Sequence, residues 1–234
     1  MALVTPDPLI LINYKTYLEA TGKKSVELSR TIEKIGRDIG VNVAVAPQFC
    51  DIAHVAAQVD IPIFAQHVDP ILPGASTGHV LVDSVKAAGA SGTLLNHSER
   101  LLRLADLEKA VSLIREIGLT SVVCAGNAHS ASAVSVLRPD MVAIEPPELI
   151  GSGRAVSKEQ PEVVTQSVKE IRRVNSDVKI LCGAGVSSGD DVYASLKLGA
   201  QGVLVASALV KSNHPDVVIA DFCNAVRRFE EDQR

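Results

Sequence analysis

The sequence predicts an α/β fold, one closed (β/α)8 barrel spanning residues 1–234, on three observations. Eight short apolar runs recur along the chain, their starts 20 to 38 residues apart. Segments with helical spacing of apolar residues lie between them. The composition agrees: 47% of the residues are hydrophobic but only 3% are aromatic, so Val, Ile, Leu and Ala must fill the core. Parallel strands buried on both faces are built from those residues.

The runs, in order, are LILI from Leu9, VNVAVA from Val41, IPIFA from Ile61 and SGTLL from Ser91. They continue with LTSVVC from Leu119, DMVAI from Asp140, VKILC from Val178 and GVLV from Gly202. Leu28, Ile32, Ile35 and Ile39 mark a first helix, and Leu107, Val111 and Ile114 another. Val164, Val168 and Ile171 mark a third, and Val218, Phe222, Ala225 and Phe229 give the last helix its apolar stripe. Between Asp51 and Gln58 there is room for barely two helical turns. An open doubly wound sheet is the alternative, but its G-x-G-x-x-G after the first strand is missing. No linker or low-complexity segment divides the chain, so one domain is expected.

Several function classes are excluded by composition. The formal net charge is −4 and no long basic run occurs, which argues against nucleic acid and anionic membranes as partners. No apolar stretch approaches the ~20 residues that span a bilayer. The opening MALVTPDPLILI lacks the basic and apolar regions of a secretory leader, so a cytoplasmic protein is expected. Cys50, Cys124, Cys182 and Cys223 are scattered and suit small buried residues in a reducing compartment. His54, His67, His79, His97, His129 and His214 show no metal-ligand spacing, and neither metal nor cofactor is expected.

In such a barrel, chemistry sits at the C-terminal ends of the strands. There the sequence places Asn13 and Lys15 after the first run, and His97 and Glu99 after the fourth. Glu145 follows the sixth, ahead of the loop PPELIGSGRAVS. GAGVSSGDD ends the seventh, where Gly183 and Gly185 would permit positive φ and a close backbone approach to a ligand. Ala206 and Ser207 follow the eighth and open a short helix whose free N–H groups would bind an anion. A small phosphorylated substrate fits these cradles. Glu145 is then a candidate general base beside a carbonyl, and Lys15 a counter-charge for an enediolate oxygen. His97, expected at a helix start that would keep it neutral, is a hydrogen-bond donor to the same oxygens.

NYK at 13–15, NHSER at 96–100, IEPPELIGSG at 144–153 and GAGV at 183–186 together resemble the triosephosphate isomerase family, whose fold is the TIM barrel. The resemblance runs along nearly the whole chain in order and separation. It implies interconversion of dihydroxyacetone phosphate and D-glyceraldehyde 3-phosphate. It also implies Glu145 as base, His97 as electrophile, Lys15 and Asn13 as substrate contacts, and Glu99 as the group orienting Lys15 and His97. The lid would run from Pro146 and Pro147 through Gly151 and Gly153 to Val156. Phosphate would be held by backbone N–H groups near Ile150 and Gly151, at Gly185, and at Ala206 and Ser207.

Tyr14, GAG at 183–185, Ala206-Ser207 and Pro146-Pro147-Glu148 depart from the common bacterial and eukaryotic pattern and look like the archaeal branch. The loop QHVDPILPGASTGHV, 66–80, is long enough to be an interface. The resemblance implies that it enters a second subunit, with Thr77 near the neighbour's active site and Arg100 also at the interface. A homo-oligomer is expected, a tetramer ahead of a dimer. Other phosphate-binding barrels share the glycine-rich loops but not NHSER ahead of a lid glutamate. A catalytically dead, ligand-binding barrel would be expected to have lost one of Asn13, Lys15, His97 or Glu145.

Overall fold

Val, Ile and Leu favour extended backbone on a packed, pleated surface, and their runs form the strands. The computed structural model describes residues 7–234, so the first six residues of the stretch read for a leader lie outside it. The strands are β1 (Leu9–Asn13), β2 (Asn42–Ala46), β3 (Phe64–Ala65), β4 (Gly92–Leu95), β5 (Thr120–Ala125), β6 (Met141–Ile144), β7 (Lys179–Gly183) and β8 (Gly202–Val205). All pairings are parallel, in the order β2-β1-β8-β7-β6-β5-β4-β3. A parallel bridge between Val45 and Ile63 joins the two ends of that order and closes the ring into a TIM barrel.

The third run, expected from Ile61 to Ala65, pairs fully only at its last two residues. Pro62 has no N–H to give to a ladder, although its carbonyl accepts from Val45 N–H at 3.1 Å. The other runs match their strands closely.

Helices alternate with the strands: α1 (Lys23–Ile39), α2 (Ile52–Ala56), α3 (Val82–Ala87), α4 (Leu104–Glu116) and α5 (Ala128–Ser135). Then come α6 (Val156–Glu159), α7 (Pro161–Val174), α8 (Gly189–Lys197), α9 (Ser207–Val210) and α10 (Pro215–Glu231). The helical stripes read from spacing point inward. Leu28, Ile32, Leu107, Val111, Ile114, Val164, Ile171, Phe222 and Ala225 are buried, while Ile35, Ile39, Val168, Val218 and Phe229 are partly buried against the core. The helix allowed between Asp51 and Gln58 is a five-residue one.

Strand residues alternate between two cores, as a period of two requires. Leu9, Leu11, Val122, Cys124, Met141, Ala143, Leu181 and Leu204 pack inside the barrel. Ile10, Ile12, Val123, Val142, Ile144, Ile180, Val203 and Val205 face the helices. The same parity brings Asn13, Glu145, Gly183 and Ala206 onto the inner side of the rim. This alternation positions the site.

Gly202 is where β8 meets β1 most closely. A Cβ there would lie 2.2 Å from the backbone oxygen of Leu9, its register partner, and 2.9 Å from Leu181 Cδ2. Because backbone cannot step aside as a side chain can, Gly202→Ala is expected to destabilise the fold by about 1–3 kcal/mol. Urea denaturation measures this; an unchanged midpoint would mean that the strand pair tolerates the methyl group.

Candidate active site

Asn13 ends β1, and its Oδ1 accepts from the backbone N–H of Lys15 at 2.9 Å. Lys15 has φ +47°, a left-handed conformation that costs a residue with a side chain about 1–3 kcal/mol. Gln66 holds it there, donating from Nε2 to Lys15 O at 2.8 Å and to Ala46 O at 3.0 Å. The side chain of Lys15 is largely buried and its Nζ is 2.8 Å from Glu99 Oε1. Tyr14 faces the opposite way. It is fully buried with its hydroxyl 2.8 Å from Ser29 Oγ, and burial pushes its phenol well above the usual range.

After β4 the chain turns at Asn96, with φ +56°, a conformation that Asn tolerates better than most residues. The Asn96 side chain closes the turn, accepting from Leu102 N–H at 2.9 Å and donating to Cys124 O at 3.1 Å. Residues 97–100 then form a turn closed by Arg100 N–H on His97 O at 2.7 Å, not the start of a helix as expected; α4 begins only at Leu104. The imidazole is oriented by other means. Glu99 N–H donates to His97 Nδ1 at 3.1 Å, so that nitrogen is the acceptor and Nε2 carries the proton in the neutral ring. Glu99 Oε1 is bound to Lys15 while its backbone N–H holds Nδ1, so one residue braces both partners.

Glu145 follows β6, its N–H bonded to Ala125 O at 2.8 Å and its carbonyl feeding two prolines. The side chain is buried, and burial raises its pKa. The His97 ring, a hydrogen bond from Cys124 and the Lys15 ammonium only partly offset this. His97 Nε2 and Glu145 Oε2 stand 3.6 Å apart, and both are buried without a hydrogen-bond partner. The buried donor and acceptor each keep their hydrogen-bonding capacity for a third group.

A cavity of about 310 Å³ adjoins this pair. It is lined by Asn13, Lys15, Glu145, Ile150, Gly151, Ser152, Gly153, Gly185, Ala206 and Ser207, among others. A larger cavity of about 670 Å³ lies at the opposite end, around the starts of β5 to β7, and holds none of the residues just described. Gly151 and Gly153 have φ +70° and +72°, which suits glycine in the loop after β6. The Ile150 N–H is engaged with Pro147 O at 3.2 Å, so Ile150 serves the cavity as wall. Gly185, at φ +71°, admits the close approach of Arg154 O, which a Cβ would meet at 1.9 Å. Ala184 shares that conformation at φ +71° despite its methyl group.

Gly183 corrects an expectation. It does not adopt positive φ; it is glycine because a Cβ would lie 2.6 Å from Glu145 Cγ. Composition alone also missed the Cys124 thiol, whose own pKa is raised by burial and by Glu145, and the amide of Gln66 beneath Lys15. Six predicted residues do not line the cavity: His97 and Glu99, which lie next to Glu145 and Lys15 that do, and Pro146, Pro147, Thr77 and Arg100. Thr77 is exposed in the loop after β3, and Arg100 reaches Asp69 at 3.5 Å. Among the described residues no cluster of three His, Cys, Asp or Glu is arranged to hold a metal.

Known proteins resemble this chain in sequence. The sequence matches the family described as Triosephosphate isomerase over residues 8–226. It is 50% identical over 219 residues to the triosephosphate isomerase of Methanosarcina acetivorans, covering 94% of this chain and 99% of that protein. Similarity to the enzyme of Methanocaldococcus jannaschii is 47% over 213 residues, covering 91% and 97% respectively. For Methanothermobacter thermautotrophicus it is 46% over 219 residues, covering 94% and 96%. The barrel, the rim residues and the match along nearly its full length lead to one conclusion: the chain belongs to the triosephosphate isomerase family.

Proposed function

We propose that Glu145, His97, Lys15 and Asn13 carry the interconversion of dihydroxyacetone phosphate and D-glyceraldehyde 3-phosphate, the family's reaction in glycolysis and gluconeogenesis. The enzyme is an intramolecular aldose–ketose isomerase. The observation that carries the residue assignment is the unpartnered pair, His97 Nε2 and Glu145 Oε2, of which Glu145 lines the cavity.

Glu145 takes a proton from the carbon next to the carbonyl and returns it to the neighbouring carbon. Burial suits it to this work, since a carboxylate stripped of water binds a proton more tightly. The enediolate formed between the two transfers places negative charge on oxygen, where His97 Nε2–H and the Lys15 ammonium stabilise it. Asn13, with Oδ1 committed to Lys15, has its amide NH2 left for substrate. The phosphate is held by backbone N–H groups of Gly151, Gly185 and Ser207, with Ala206 and Ile150 completing the wall. The segment from Pro146 to Val156 closes as the lid. Loop closure that shelters a reaction from water is a general device, of which this family's lid is a standard example.

The whole chain works as one domain, because its single ring of strands draws on segments from Leu9 to Val205. Cys124, Cys182 and Cys223 are buried and suit a reducing cytoplasm, whereas Cys50, read as buried, is exposed; no described helix is long and apolar enough to cross a membrane. The 66–80 loop is pinned at its base by Asp69, which accepts from Val80 N–H, while Leu72 at its tip is 62% exposed. An exposed apolar tip on an anchored base favours insertion into a second copy of the chain, with Thr77 near Asn13 and Lys15 of the partner subunit. Arg100, ion-paired to the loop base, joins that contact, and the assembly is a tetramer in preference to a dimer. A monomeric mass by light scattering would remove this reading.

Glu145→Gln is expected to lower kcat by about 10²–10⁴-fold in a coupled triose phosphate assay, with KM little changed. In the parent, kcat/KM should fall as pH drops and Glu145 is protonated. Because its pKa is raised, that acid limb lies above the ~4.3 of an ordinary glutamate. Near-parental turnover by the variant would exclude Glu145 as the base.

A further inference from the structure

The tail of the lid is tied to the loop after β7 by an ion pair that lies outside the cavity. Lys158, in α6 directly after the lid, places Nζ 2.6 Å from Asp191 Oδ1. Asp191 lies in the first turn of α8, and its side chain is only 4% exposed. Its other oxygen, Oδ2, accepts from Ser187 N–H at 3.0 Å, Ser187 Oγ at 3.1 Å and Ser188 N–H at 3.0 Å. Ser187 lines the cavity beside Ala184 and Gly185. One carboxylate therefore grips the cradle loop with one oxygen and the end of the lid with the other.

Two backbone contacts run alongside. Val156 N–H donates to Ala184 O at 3.2 Å, and Ser157 Oγ donates to Asp191 O at 3.3 Å. Burial pushes the Asp191 carboxyl upward, but the hydrogen bonds from Lys158, Ser187 and Ser188 outweigh it and hold the group below the usual carboxylate range. Lys158 itself is half exposed, so the pair adds little to global stability. Its value is geometric. Ala184 sits at φ +71° without being glycine, so the cradle is held in a conformation it would not adopt unaided.

We infer that Lys158 is a positioning residue that, through Asp191, couples the end of the lid to the phosphate cradle. This rests on the proposed reading of the cavity as the triose phosphate site. Without the ammonium, lid and cradle would have to be ordered separately by the substrate's phosphate, and part of its binding energy would be spent doing so.

The test is Lys158→Met, with Lys158→Arg as the conservative control. For Lys158→Met, KM for D-glyceraldehyde 3-phosphate and the inhibition constant of inorganic phosphate should both rise about tenfold. The thermal midpoint and the slow turnover of unphosphorylated D-glyceraldehyde should stay at parental values, and Lys158→Arg should restore most of the phosphate affinity. Unchanged KM and inhibition constant in Lys158→Met would overturn the inference, as would an equal loss with D-glyceraldehyde or a KM rise accompanied by a lowered midpoint. A parent inactive on triose phosphates would instead refute the proposed function itself.

Discussion

The structure depends on a carboxylate kept from water with one oxygen unsatisfied. Leaving a buried acceptor without a partner costs about 1–3 kcal/mol, and Glu145 Oε2 has none. His97 Nε2 bears the same cost 3.6 Å away. Such an arrangement persists only if the surroundings prevent both groups from turning elsewhere. Gly183 leaves room for Glu145, Cys124 holds it from the strand below, and Glu99 N–H fixes the imidazole by its far nitrogen. The barrel provides this rigidity because Cys124 and Gly183 belong to paired strands, and Glu145, His97 and Glu99 follow within four residues of one.

Strain near Lys15 has the same origin. Its left-handed backbone is bound from both sides, by Asn13 Oδ1 on its N–H and by Gln66 Nε2 on its carbonyl. The result is an ammonium that reaches the cavity already paired with Glu99. Base, imidazole and cation thus arrive on three separate strands, and imidazole and cation share one brace, since Glu99 meets Lys15 with Oε1 and His97 with its backbone N–H. The proposed phosphate cradle is built by a different route, from glycine-permitted turns after β7 and after β6.

Much of this was legible in the sequence, and the reasons it was legible are physical. Strand positions follow from apolar runs, and rim residues follow from where the runs end. The inner parity of Asn13 and Glu145 can be counted from Leu9 and Met141. Effects across space were harder to read. Pro62 shortened the third strand, although the run containing it looked as long as the others. His97 was expected at a helix start, but Asn96 instead turns the chain through positive φ and the helix begins seven residues later. Gly183 suggested a turn because glycine commonly permits one, whereas its neighbour in space, Glu145, lies 38 residues away in the chain. Gln66, Cys124 and the Lys158–Asp191 pair carry no local pattern, because each acts on a residue far from it in sequence.

The central claim is that a buried carboxylate moves a proton between adjacent carbons through an enediolate. Isomerisation run in heavy water tests it most directly. A carboxylate that holds the abstracted proton on oxygen can exchange it with solvent, so the account predicts product carrying deuterium at the carbon that receives the proton. Deuterium entering that carbon at the parental rate in Glu145→Gln would contradict it, because another group would then be moving the proton.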